Sequence, residues 1–161
     1  MKSFGVLVLL FLGFQQNIDI EKIEAQLFDK INGVRVENKC SKLKRDVNLD
    51  KAASNQAEYI ASKEVLDHNQ NENPKTKKIL DRVKFFSKDK YVIVAENLLF
   101  TTIPKETIDS EVLAEKMKSL WVKSPNHFKN IKNSEYNYTG FGFALNKSKT
   151  KIYAVQVFGK K

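Results

Sequence analysis

The chain has 161 residues, 42% of them hydrophobic and 11% aromatic, an ordinary globular composition and enough length for one domain with its own core. A single cysteine, Cys40, excludes an intramolecular disulfide and leaves a free thiol or an intermolecular bridge. The formal charge of +9, about +8 without the residues before 19, favours anionic company such as nucleic acid, anionic lipid or acidic cell-wall polymer. The lysines are dispersed and no nucleic-acid motif is present, which argues against nucleic acid as the partner.

Residues 1–18 have the layout of a signal peptide: Lys2, then an apolar run of 11 residues from Phe4 to Phe14. A membrane span needs about 20 apolar residues, so this run is too short to cross a bilayer. No small-residue cleavage pattern precedes Gln15, and the mature chain is expected to begin between about 15 and 20. An uncleaved N-terminal anchor or a buried hydrophobic arm is the rival. Residues 19–161 are expected to form one domain outside the cytoplasm.

Apolar residues at 20, 23, 27, 31 and 34 predict a first helix, ended by Asn32-Gly33-Val34-Arg35. Lys39 to Asp46 is a polar connection anchored by Leu43. Leu49, Ala52, Ala53, Ala57, Ile60 and Ala61 predict a second helix whose small residues permit close packing, with Asp46 or Asn48 as its cap. His68 follows it. Asn69 to Lys90 is expected to be a basic loop carrying Lys or Arg at 75, 77, 78, 82, 84, 88 and 90. Tyr91 to Ala95 predicts a buried strand from which Glu96 emerges. Leu113, Met117, Leu120 and Trp121 mark a third helix, capped by Asp109 or Ser110, with Trp121 in the core. Ser124-Pro125 opens a short fourth helix, Ser124 as cap and Pro125 in its first position. In the strand 139–145 large side chains alternate with Gly140, Gly142 and Ala144, so another element must lie close on the bare face. Asn146 to Thr150 turns the chain and Ile152 to Phe158 returns it as a hairpin.

Four motifs fall in order: His68, the step Ala95-Glu96-Asn97-Leu98, the helix start Trp121-Val-Lys-Ser124-Pro125-Asn126-His127, and Gly140-Phe141-Gly142. Together they resemble the CAP superfamily (cysteine-rich secretory proteins, antigen 5, pathogenesis-related 1), in its short, disulfide-poor bacterial branch. The resemblance spans roughly residues 24–159. It implies an α+β fold, a three-layer α–β–α sandwich around a central, mainly antiparallel sheet. It also implies a central cavity formed by His68, Glu96 and His127, with Asn97 and Ser124 beside them. The family's second glutamate falls near Ser124, where this chain departs from the pattern.

His127, in the first turn of a helix, feels the positive end of the dipole and is expected to stay neutral near pH 7. Two neutral imidazoles, His68 and His127, with the Glu96 carboxylate suit zinc or another divalent cation, leaving a fourth position for water. The leading function is non-enzymatic binding of an extracellular lipid, peptide or anionic surface polymer, toward which the basic loop 75–90 would bias the protein. The alternative is a metal-assisted hydrolase of peptide or cell-wall material, with Glu96 as the base that activates water. No Gly-x-Ser-x-Gly elbow supports a serine hydrolase.

Overall fold

The structure is a computed structural model and describes residues 18–88, 90–104 and 109–161. The expected signal peptide lies outside the described residues, save for Ile18. No helix among the described residues is long and apolar enough to cross a membrane.

The chain runs α1 (Ile20–Glu37), β1 (Lys44–Arg45), α2 (Val47–Lys63), α3 (Ile79–Ser87), β2 (Ile93–Thr102), α4 (Ser110–Lys123), α5 (Pro125–Ile131), β3 (Tyr138–Leu145) and β4 (Lys151–Lys160). Aspartates start three of the helices. Asp19 accepts from Lys22 N, Asp46 from Asn48 N and Asp109 from Glu111 N, each covering an amide that has no partner inside its helix.

Among the described residues one sheet of four strands has the order β1-β3-β4-β2. β3 and β2 pair antiparallel with β4, and only the two-residue β1 is parallel to its neighbour. The sheet is sandwiched between two apolar cores. On one face Ile23, Leu27 and Ile31 of α1 and Leu113, Met117 and Trp121 of α4 meet Phe141, Ile152, Ala154 and Phe158. On the other, Leu49, Ala52, Ala53, Ala57 and Ile60 of α2 and Val83 of α3 meet Leu98, Tyr153, Val155 and Val157. This is the α–β–α sandwich expected, with Trp121 fully buried.

The bare face of β3 has the partner its glycines predict. A Cβ on Gly140 would stand 2.2 Å from backbone atoms of Leu49 and Asp50, and one on Gly142 2.2 Å from Ser54 N. The backbone of α2 therefore lies directly on the strand, a contact that no side chain could occupy.

Four expectations need correction. The basic stretch 69–90 is not all loop. Ile79, Val83 and Phe86 fall on one face and form α3, a short helix that dispersed charges conceal. The strand expected over 91–95 starts later, is half-buried at 93–95 and does not stop before Glu96; all ten residues of β2 pair with β4, because Leu98 to Thr102 continue the run of strand formers. α1 continues past Arg35 to Glu37. The polar connection 39–46 holds β1, whose charged residues carry no strand signature.

Gly142→Ala should destabilise the fold by about 1–3 kcal/mol or more, since neither backbone can yield without moving a layer. Urea unfolding of the variant measures it.

Candidate functional site

β2 is an edge strand, and successive residues of a strand face opposite sides of its sheet. Glu96 faces α3 and the segment after α2, while Asn97 faces α5. The site straddles that edge.

On the first side, the Glu96 carboxylate is buried and both its oxygens are engaged. Oε2 accepts from Arg82 Nη2 at 2.7 Å and Oε1 lies 2.9 Å from His68 Nδ1. Arg82, on α3, is itself fully buried. Its guanidinium also donates to the carbonyls of Thr76, Lys77 and His68 at 3.0–3.3 Å, so one side chain fixes the loop that carries His68. A second clamp is Gln70. Its amide nitrogen donates to Asn55 and Gln56, its oxygen accepts from Asn73 and Thr76, and Gln56 in turn donates to the Asp67 carbonyl. The backbone on both sides of His68 is thus held to α2 and α3. The His68 ring remains 58% exposed. With a carboxylate at Nδ1, that nitrogen carries the proton and Nε2 is left for the outside.

On the other side, Asn97 Nδ2 donates to the His127 carbonyl at 3.1 Å. Asn130 Nδ2 donates to Asn97 Oδ1 at 2.8 Å and to the Glu96 carbonyl at 3.4 Å. These bonds seat α5 on the edge of β2 and bring half-buried His127 to it. Ser124 stands at the junction of α4 and α5. Its carbonyl accepts from Phe128 N at 2.8 Å, but its hydroxyl makes no capping bond, contrary to the role that Ser-Pro suggests. With ψ at 117° the backbone has the extended shape of a cap, and the carbonyl alone does the helix-starting work.

The two imidazoles are driven apart. The hydrogen bond to Glu96 raises the pKa of His68 above its usual value, against an opposing contribution from partial burial. Burial lowers that of His127, and the positive charge of a protonated His68 lowers it further. Desolvation and its neighbour's charge thus both favour the neutral form of His127 near pH 7.

His68, Glu96, Asn97 and His127 therefore come together, while Glu96 stands behind His68 and not as a third ligand. Among the described residues no set of three His, Cys, Asp or Glu side chains could share a metal ion. The residues present do not supply the donor set of a closed structural zinc site. A surface cleft of about 590 Å³ against α1, lined by residues such as Phe28, Val36 and Leu43, contains none of the site residues. Sequence reasoning missed Arg82, Gln70 and Asn130. One signal existed for Arg82: the chain has 28 basic residues, of which only Arg35, Arg45 and Arg82 are arginine, and a rare arginine among lysines suggests a task that lysine cannot perform.

The profile of the cysteine-rich secretory protein family, CAP, matches residues 28–158. No curated protein matches the sequence. Among solved structures, an outer surface protein of Borrelia burgdorferi is similar with a TM-score of 0.72 at 18% identity, over 91% of this chain and 98% of that one. An extracellular protein with an SCP domain from Bacillus anthracis gives 0.64 at 20% identity, over 88% of this chain. A cysteine-rich secretory protein from Staphylococcus aureus gives 0.62 at 18%, over 91%. The chain spans 41% of each of these last two. At such identities the likeness concerns the fold.

The opposed shifts give opposed pH dependences. The stabilisation from His68 should be complete below pH 6.5 and lost as pH rises through the raised folded value. His127 should cost stability as pH falls below 6.5 through its lowered folded value. Denaturation of His68→Gln and His127→Gln on either side of that pH should show each slope vanish separately. NMR titration of His68→Gln should also find the His127 pKa moved back upward.

Proposed function

The chain belongs to the cysteine-rich secretory protein family (CAP), and we propose that it is an extracytoplasmic binding protein of that family and not an enzyme. Its ligand, an extracellular lipid, peptide or anionic surface polymer, would sit in the groove at the edge of β2. The recognising groups are the outward Nε2 of His68, the neutral imidazole of His127, and the Ser124 hydroxyl left without a capping bond.

One observation carries this reading: both oxygens of Glu96 are committed, one to buried Arg82 and one to His68. A general base must reach the proton it removes. Glu96 would have to abandon a buried guanidinium to do so, which leaves an unpaired charge inside the protein at a cost of about 3–5 kcal/mol. What the pair does instead is orient His68, as a carboxylate behind an imidazole does. The same orientation suits a divalent cation as co-ligand, held by His68 and His127 with water completing its shell. Such a cation would supply a positive charge for an anionic or carbonyl group of the ligand.

Incubated with peptide mixtures and cell-wall fragments, the protein should leave them uncleaved, while NMR shift changes from the ligand it binds gather at His68, Asn97 and His127. Cleavage by the wild type that Glu96→Gln abolishes without loss of folding would replace this reading by the hydrolase. For the cation, Zn²⁺ should raise the melting temperature above pH 7 and should not do so in His127→Gln; an unresponsive wild type removes the cation and leaves the binding role standing.

A further inference from the structure

The segment 74–90 has a face that the groove does not use. In α3 the residues Arg82, Val83, Phe86 and Ser87 turn inward, while Leu80, Lys84 and Phe85 turn to solvent. Phe85 is 56% exposed and Leu80 39%. Shallow clefts of about 430 and 410 Å³ flank Phe85, and Pro74 and Lys75 line both. An aromatic ring thus stands proud between two hollows on an otherwise charged surface.

Around it the charge is mainly positive. The segment carries lysines at 75, 77, 78, 84, 88 and 90 against Asp81 and Asp89. Its one arginine is turned inward onto Glu96. Among the described residues Lys75, Lys77, Lys78, Lys88 and Lys90 make no ion pair and are exposed. The Asp81 carboxylate accepts from the Lys78 amide at 3.4 Å, at the start of α3, and Glu72 nearby is held by Tyr59 and Lys63.

From this arrangement we infer that α3 and the loop before it form a docking surface for an anionic phospholipid bilayer, with Phe85 entering the headgroup boundary and the lysines on lipid phosphates. A soluble polyanion would account for the lysines but gives no use to an exposed Phe beside Leu80. A bilayer accounts for both: its surface potential attracts the cations and its interface takes the ring. The helix need not change shape, because its buried side already rests on α2 and β2. This surface is distinct from the groove, so bilayer binding and groove binding can fail independently.

The test is co-sedimentation with vesicles of phosphatidylcholine alone and of phosphatidylcholine with phosphatidylglycerol. The wild type should sediment with the second and not the first. Phe85→Ala should weaken binding about tenfold, and replacing Lys75, Lys77 and Lys78 by Gln about fivefold for each lysine. The lysines are exposed and their replacement should leave the melting temperature unchanged, while Phe85→Ala, which removes an edge-on contact with Phe86 at 5.0 Å, should lower it only slightly. Phe85→Trp should shift its emission to the blue on the anionic vesicles, over the constant background of buried Trp121. The inference is overturned if the wild type ignores anionic vesicles, or if Phe85→Ala binds them as well as the wild type. It is equally overturned if Phe85→Trp binds without an emission shift while dextran sulfate binds as tightly, which would make the surface a polyanion site.

Discussion

The ion pair between Arg82 and Glu96 is the contact on which the site depends. Both side chains are removed from water, so neither charge is tolerable without the other. A buried pair of this kind adds little to stability beyond what well-packed apolar residues would give. Its effect is positional. Arg82 presents its donors in a rigid plane, and its two terminal nitrogens serve Glu96 and the carbonyls at 68, 76 and 77, while Nε is buried without a partner. A helix, a strand and the loop between α2 and α3 are thereby locked in one geometry, and His68 inherits its place from them.

Arg35 meets the same problem with no acid at all. It is fully buried and donates to the carbonyls of Ser41, Ile131, Asn133 and Tyr136. Burial lowers its pKa, yet a guanidinium starts so high that it stays charged. Ile131 ends α5, where carbonyls lack intrahelical partners and the dipole is negative. Arg35 therefore ties the end of α1 to the end of α5 and to the approach of β3. A lysine, with three donors on a flexible stem, could not satisfy four separate carbonyls. Here lysine supplies surface charge, whereas two of the three arginines lie in the interior.

What was legible in the sequence follows from this division. The close packing of α2 on β3 could be read from Gly140 and Gly142, because a missing Cβ at period two has one explanation. Helices with long apolar stripes, and the burial of Trp121, were equally plain. α3 was not, since it has only nine residues and its inward side includes an arginine and a serine. The extent of β2 was hidden because Glu96 and Asn97 look like a strand's end, although a charge within a strand is tolerable once a guanidinium waits beside it. Ser124 looked like a helix cap by residue type, yet capping needs a side-chain torsion that sequence does not specify. The site residues His68, Glu96, Asn97 and His127 were legible through motif resemblance. Their connectivity was not, because Arg82 lies in a lysine-rich stretch that reads as solvated surface.

The place of the site at a sheet edge has its own logic. A strand of ten residues at an edge exposes a row of unpaired backbone groups, a liability that folded proteins cover or interrupt. Here the covering groups and the site residues are the same. Asn130 reaches the outward carbonyl of Glu96, Asn97 holds the backbone of α5, and His68 closes over the carboxylate from the opposite layer. At this edge the loop that carries His68 and the helix α5 reach the strand from opposite faces of the sheet. Polar side chains are needed there to satisfy the edge. Once present, they are the groups that a ligand at this edge would meet, so the chemistry offered there follows from the way the sheet is terminated.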